Sequence, residues 1–259
     1  MGKPSETENI DRLTFVGHLG ELRQRLLKSL IAVAITTVIS FFLAERYIFP
    51  ILISPIEGLL SAEEVNLIFI HMTEMIGTYM KVSLTGGIIL AMPYLVYHLL
   101  MFVSPALTRR EKKYIYLILP WITLMFIAGI AFGYFILLPP ATKFLMTFGS
   151  SIASPEIRIG NYISLVTRLL VASGAIFETP VIISFLARLG IVTPKMLSSK
   201  RRHAVVVAFI LGAIITPTFD PVNQSLVAVP LIILYEMSIW LAKLVQRRQP
   251  KAVTPAPTS

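Results

Sequence analysis

Apolar residues dominate six stretches of the chain, and polar residues collect in the connections between them. The stretches cover residues of about 26–44, 74–103, 114–138, 160–188, 204–216 and 223–242. An α-helix needs about 20 mainly apolar residues to cross a bilayer core of ~30 Å. Only 14% of the residues are charged and the mean hydropathy is +0.76, whereas soluble domains carry roughly 25% charged residues. The pattern therefore predicts an all-α integral membrane protein with six transmembrane helices.

The predicted spans are uneven in length. The fourth has about 29 residues and would extend roughly 43 Å at 1.5 Å per residue. The fifth has about 13 residues, or roughly 20 Å, before Thr216-Pro217. So short a helix must thin the bilayer, be shielded by its neighbours or leave its ends in water, unless its boundaries are misplaced.

Basic residues predict the orientation of the spans. Most of the 23 lysines and arginines lie in four segments, 1–28, 109–113, 188–202 and 243–251. The alternate connections hold only Arg46, Lys143 and Arg158, while Lys81 and Arg168 fall within spans. Cytoplasmic loops carry an excess of Lys and Arg, so both termini are expected in the cytoplasm.

The domain organisation follows from the same pattern. Residues 15–245 form one six-span membrane domain, with a polar tail at 1–14 and a disordered cytoplasmic tail at 246–259. The N-terminal MGKPSETENIDRLTF is too polar for a signal peptide, so the first span is expected to remain. The outer connections 45–73 and 139–159 are each expected to form a short amphipathic helix on the outer surface.

The residue types argue against an enzyme. The chain has no cysteine, and its four histidines form no HExxH motif that would bind zinc. It also lacks a phosphate-binding GxxxxGK[ST] loop and a GxSxG nucleophile elbow. We therefore expect no cofactor and no metal. The net charge of +9 comes without interleaved aromatic and basic residues on a long polar surface, which disfavours nucleic acid.

Glu178 is an ionisable residue inside the fourth span, where such groups are costly and usually functional. Pro180 follows two residues later and is expected to kink the helix. A carboxyl at a bend suits a concave, cupped arrangement of helices with a partly hydrated face. The alternative is a protonated Glu178 hydrogen-bonded to a neighbouring helix.

Further polar residues lie near the last two spans. Thr216, Asn223 and Gln224 cluster where the fifth span turns into the sixth, forming either a capped turn or a docking patch for another helix. Glu236 lies near the cytoplasmic end of the sixth span, where water or Lys243 could stabilise it.

Two carboxylates on the predicted cytoplasmic side are surrounded by positive charge. Glu21 can form a local ion pair with Arg25 one turn away. Glu111 lies in the first turn of the third span, where a negative charge interacts favourably with the helix dipole. Together they could instead form an acidic site for a basic ligand. A guanidinium is the natural partner, since it bridges carboxylates through two nitrogens.

Four separated motifs resemble the TatC family, the multispanning core of the twin-arginine protein translocase. They are HLGELRQRLL (18–27), FVSPALTRREKK (102–113), GAIFETPVII (174–183) and LGAIITP…DPVNQ…AVPLIILYEMSIW towards the end. The resemblance covers roughly residues 15–245. One departure is HMTEMIGTYM before the second span, which keeps Thr73-Glu74 but lacks the prolines of the family's SPTEPF-like stretch.

The resemblance implies a non-enzymatic receptor that binds twin-arginine signal peptides of folded proteins. It implies single-span partners, TatA and TatB, an oligomeric complex, and transport driven by the proton-motive force. Glu21 and Glu111 are implied to bind the two arginines, with Arg23, Phe102 and Leu107 shaping the site.

The resemblance also bears on the buried polar residues. Glu178, with Pro180 beside it, matches the family's buried glutamate. Thr216 and Gln224 match the region where partner helices dock, and Glu236 is grouped with them. A short fifth span fits local membrane thinning. The alternative is a proton-coupled secondary transporter using Glu178, although no internal repeat typical of such transporters is visible.

Overall fold

The structure is a computed structural model that describes residues 6–63, 67–103, 109–148, 156–216 and 221–247. Almost all of these residues are helical, and the all-α membrane fold predicted from the sequence is confirmed. The helices are α1 (Glu6–Leu43), α2 (Phe49–Glu63), α3 (Met72–Val103), α4 (Arg109–Phe132), α5 (Leu138–Thr147), α6 (Ile159–Phe177), α7 (Thr179–Arg188), α8 (Pro194–Ser199), α9 (Arg201–Ile215) and α10 (Pro221–Arg247). Two short strands, β1 (Leu67–Ile68) and β2 (Ile157–Arg158), pair in parallel.

Two π-helical turns join neighbouring helices without a loop. Ala44–Ile48 connects α1 to α2, and Gly133–Leu137 connects α4 to α5. Such π-bulges insert one extra residue into a helical turn and are common at functional positions. The helices expected in the connections 45–73 and 139–159 are therefore continuations of the spans before them.

Five stretches of the described residues are long and apolar enough to cross a membrane. They are Leu19–Glu57, Met72–Phe102, Ile118–Thr147, Ile159–Arg188 and Gln224–Gln246. Helix α9, in the place of the short fifth span, has 15 residues, which corresponds to roughly 22 Å.

The chain divides into two compact units, of which the first comprises residues 1–124 and 149–171. Here α1 packs closely against α3 at Gly86 and Gly87. A Cβ atom on Gly87 would lie 2.6 Å from the backbone of Thr37, and the Thr36 hydroxyl donates to the Gly87 carbonyl at 2.8 Å. Small residues permit this approach, as is common where membrane helices pack.

Helix α6 joins the first unit through its Ile159 end. The Tyr162 hydroxyl donates to the Leu52 carbonyl at 2.7 Å, linking α6 to α2. The strand pair aligns Leu67 with Ile157 and Ile68 with Arg158. Strand β2 leads directly into α6 and β1 lies three residues before α3, so the two helices begin beside each other.

The second unit comprises residues 125–148 and 172–259. A Cβ on Gly129 would lie 2.6 Å from the Ser173 carbonyl oxygen, so α4 packs tightly on the end of α6. Helix α10 packs on α7 and α9. The core of this unit includes Ala187, Leu197, Ile239 and Ala242. Gly190, with φ of 75°, ends α7 in the left-handed conformation that glycine adopts most easily.

Candidate functional site

Glu21 and Arg25 form an ion pair one turn apart on α1. The Arg25 Nε donates to Glu21 Oε1 at 3.1 Å, and its Nη2 contacts the same oxygen. Both side chains are part-buried. The local pair considered from the sequence is therefore present, and it places a guanidinium against the carboxylate expected to bind one.

A groove of about 350 Å³ lies between α1 and α3 beside this pair. Its lining comes from both helices: Leu22, Arg25, Leu26, Ser29, Met92, Leu95, Val96, His98, Leu99 and Phe102. Arg25 thus faces both Glu21 and a groove that is otherwise mostly apolar. Phe102, a residue of the predicted site, forms part of its wall, while Arg23 is exposed on α1.

The structure leaves the other half of the predicted site undetermined. The backbone of Glu111 belongs to the first turn of α4, two residues after its start at Arg109. Its side chain and all of Leu107 lie outside the described residues. The convergence of Glu21 and Glu111 on one ligand therefore stays a prediction.

His98 was not selected from the sequence, yet it lines the same groove. It is 9% exposed, and neither imidazole nitrogen has a hydrogen-bond partner among the described residues. Its ring packs edge-on against Tyr94 and Tyr97, with centroid distances of 4.4 and 5.4 Å. The sequence pattern that could have identified His98 is a histidine inside an apolar span, because polar groups at membrane depth need partners.

Glu178 lies at the break between α6 and α7. Its amide donates to the Ala175 carbonyl at 3.3 Å, and its own carbonyl accepts from Val181 and Ile182 at 3.0 Å. Pro180 has no N–H, so the helix restarts at Thr179 after an interruption. The bend predicted at Pro180 therefore coincides with a helix break at the carboxylate itself.

The Glu178 side chain is buried and is only 1% exposed. Its Oε1 atom has no hydrogen-bond partner among the described residues. A buried polar atom without a partner costs free energy, and in native proteins it often marks a functional group. The unpartnered Oε1 therefore makes Glu178 a candidate functional group.

Thr216 and Gln224 lie at the corner between α9 and α10. The Thr216 hydroxyl donates to the Gly212 carbonyl, and Gln224 Nε2 donates to the Phe209 carbonyl, both at 2.8 Å. A Cβ on Gly212 would lie 2.9 Å from the Gln224 carbonyl oxygen. The polar groups therefore hold this corner together, as the capped-turn interpretation expects.

Glu236 is not part of that corner. It lies 12 residues beyond Gln224, roughly 18 Å along α10. Its carboxylate pairs with Arg201 through two nitrogens, with Nη2–Oε2 and Nε–Oε1 distances of 2.8 Å. Arg201, rather than Lys243, is its partner, and the pair links α10 to the start of α9.

Among the described residues, no group of three or more histidines or carboxylates could hold a metal ion. The candidate sites are thus a carboxylate at an apolar groove, a buried carboxylate at a helix break, and a polar helix corner.

Comparisons with known proteins agree with the motifs. Residues 17–230 match the family model described as Sec-independent protein translocase protein (TatC). The TatC protein of Carboxydothermus hydrogenoformans is 39% identical over 237 residues, which cover 92% of this chain and 96% of that protein. The TatC protein of Aquifex aeolicus is 43% identical over 234 residues, covering 90% of this chain and 95% of that one.

Solved structures give the same result. A crystal structure described as the twin arginine translocase receptor TatC superimposes with a TM-score of 0.76 at 43% identity. The superposition covers 89% of this chain and 100% of that chain. A second structure of that receptor, in the detergent DDM, gives a TM-score of 0.77. The chain therefore belongs to the TatC family of Sec-independent protein translocase proteins, whose members are translocase subunits and not enzymes.

Proposed function

We propose that this chain is the receptor and core of a twin-arginine translocase, and that it binds signal peptides of folded proteins through Glu21 and Glu111. The observation that carries the proposal is the contact of the Arg25 guanidinium with Glu21, since Arg25 itself lines the groove. A peptide guanidinium would meet the same carboxylate in the same manner, because arginine binds carboxylates through two nitrogens.

The groove supplies the second element of recognition. Its walls are largely apolar, so the residues of a signal peptide next to the arginine pair can bury apolar surface there. Phe102 lines this groove, and Leu107 follows it by five residues in the sequence. Arg23 lies nearby on α1. Charge thus selects the arginine pair, while apolar contact adds affinity.

The remaining polar residues act after signal-peptide binding, in transport and in assembly of the complex. Glu178, buried at the helix break beside Pro180, takes part in transport driven by the proton-motive force. The corner at Thr216 and Gln224 receives the single-span partners TatA and TatB in an oligomeric complex, with Glu236 steadying α10. Both termini face the cytoplasm of the plasma membrane.

Photo-crosslinking of signal peptides to the purified protein tests the receptor role. A peptide with Arg-Arg and a matched peptide with Lys-Lys are each offered to wild type, Glu21→Gln and Glu111→Gln. Loss of a charge-assisted hydrogen bond is expected to weaken Arg-Arg labelling by about tenfold or more in either variant. Glu45→Gln is the matched control, since Glu45 is an exposed carboxylate beyond the far end of α1.

The Lys-Lys peptide is expected to label wild type weakly, because an ammonium cannot make the two-point contact. Equal labelling by both peptides in wild type and in the Glu21 and Glu111 variants would refute the receptor proposal.

A further inference from the structure

Basic side chains form a row between α3 and α6 in the first unit. At the start of the two helices, Arg158 Nη2 lies 3.2 Å from Glu74 Oε2. Glu74 also accepts a hydrogen bond from the Ile70 amide at 3.1 Å. The first basic residue of the row is therefore neutralised by a carboxylate of the same chain.

The second basic residue, Lys81, has a neutral partner. Its Nζ donates to Ser164 Oγ at 2.5 Å, and the Ser164 hydroxyl donates to the Gly160 carbonyl. A Cβ on Gly160 would lie 2.9 Å from Glu74 Oε1. Ser164 lies one turn beyond Gly160 on α6, and Lys81 lies about two turns beyond Glu74 on α3, so this contact follows the Arg158–Glu74 pair along both helices.

The third basic residue, Arg168, lies one turn beyond Ser164 on α6. Its side chain is exposed, and it takes part in no hydrogen bond or ion pair within the described part of the chain. Lys81 and Arg168 each lie nine residues after the start of their helix, roughly 13 Å along its axis. A basic side chain at that depth in a membrane is costly and normally has a partner.

The surface around these residues carries both charge and apolar area. Leu84, one turn after Lys81 on α3, is exposed, as is Arg168 itself. We name the set Lys81, Leu84, Ser164 and Arg168 the inner basic surface. Because it presents two basic groups and no carboxylate among the described residues, a partner that fits it must bring negative charge.

We propose that the inner basic surface binds a carboxylate on the transmembrane helix of a partner protein. The Arg158–Glu74 pair is a precedent within this protein, since a carboxylate binds a basic residue of the same row there. A glutamate or aspartate on a partner span would occupy the place next to Arg168 and Ser164. This surface is separate from the Thr216–Gln224 corner and does not depend on signal-peptide binding.

Charge and depth favour a partner helix over a lipid phosphate. A phosphate at the membrane surface would be met by side chains that extend towards that surface. Lys81 already donates to Ser164, and Arg168 lies one turn further from the start of α6 than Ser164. A carboxylate on a span can reach this depth, and the apolar remainder of that span can pack on Leu84.

The test uses the full-length protein in phosphatidylcholine vesicles with synthetic Leu/Ala-rich single-span peptides as probes. One peptide carries a glutamate about nine residues from its end, and its matched control carries glutamine there. Fluorescence energy transfer to the labelled protein measures binding. We expect the Glu peptide to bind wild type about tenfold more tightly than the Gln peptide, as for one good interhelical hydrogen bond.

Variants test whether the preference for the Glu peptide depends on the inner basic surface. Arg168→Gln is expected to remove most of the preference, Arg168→Lys to keep part of it, and Lys81→Gln to reduce it. Lys143→Gln, an exposed lysine on α5, is the control and should keep it. Equal binding of the two peptides to wild type overturns the proposal. In vesicles that also contain phosphatidylglycerol, an Arg168-dependent enrichment of that lipid without a peptide preference overturns it as well and would identify a lipid site.

Discussion

Arg25 and Glu21 face each other one turn apart on α1, and Arg25 also lines the groove between α1 and α3. The carboxylate proposed to bind a ligand's guanidinium therefore already holds one from its own chain. A peptide arginine must either displace Arg25 or share the carboxylate with it.

Replacing Arg25 tests this competition. Because a helical ion pair one turn apart contributes about 0.5 kcal/mol, Arg25→Gln should strengthen binding of a twin-arginine peptide by roughly twofold. Titration of a labelled peptide into the detergent-solubilised protein measures the change, with Arg46→Gln, an exposed arginine in the π-turn, as control. Weaker binding in Arg25→Gln would show that Arg25 contributes to the site instead of competing for it.

Glu178→Gln separates transport from binding. The substitution keeps the shape of the side chain but removes a group that can exchange a proton, and no described residue pairs with Oε1. We expect normal expression, peptide affinity within a factor of about two, and strongly reduced export in membrane vesicles energised by a proton gradient. Loss of folded protein in detergent, measured by thermal aggregation, would instead assign Glu178 a structural role.

Gly87 sets how closely α1 and α3 approach. A Cβ there would lie 2.6 Å from backbone atoms of Thr37, so Gly87→Ala is expected to force the helices apart. The free energy of unfolding should fall by about 1–3 kcal/mol, as for other overpacked sites. Gly77→Ala, on the same helix but with no atom within 4 Å of the added carbon, should not destabilise the protein. Similar losses in both variants would contradict the close-packing account.

His98→Phe should stabilise the protein. The replacement removes two buried nitrogens without partners and keeps a flat ring between Tyr94 and Tyr97. Removing an unsatisfied polar group is expected to raise the free energy of unfolding by about 1 kcal/mol. His203→Phe, at an exposed position on α9, is the control. A clear destabilisation in His98→Phe would mean that the imidazole has a partner in the membrane.

The sequence predicted the features that depend on neighbours close in the chain. Apolar stretches of sufficient length predicted the helices, Pro180 predicted a bend, and the one-turn spacing of Glu21 and Arg25 predicted their pair. The continuity of α1 with α2 was missed, because Pro50 and Pro55 resemble breakers while a π-turn has no comparable sequence pattern.

Contacts between distant segments could not be predicted. Glu236 pairs with Arg201, which lies 35 residues earlier, and Glu74 pairs with Arg158 across 84 residues. Periodicity shows which side of a helix is apolar, but it does not show which helix will face it. For the same reason the sequence places Lys81 and Arg168 within two separate spans but does not show that they belong to one row.

The parallel pairing of β1 with β2 limits insertions and deletions in the segments that join these strands to the helices. The two-residue strands align the start of α3 with the start of α6. The row of basic residues from Arg158 to Arg168 depends on that alignment. Deleting one residue between Ile68 and Met72 would shift α3 by about 1.5 Å and turn it by about 100° relative to α6. Lys81 would then point away from Ser164. Insertions and deletions should therefore be tolerated poorly in this short link, although it lies outside the helices.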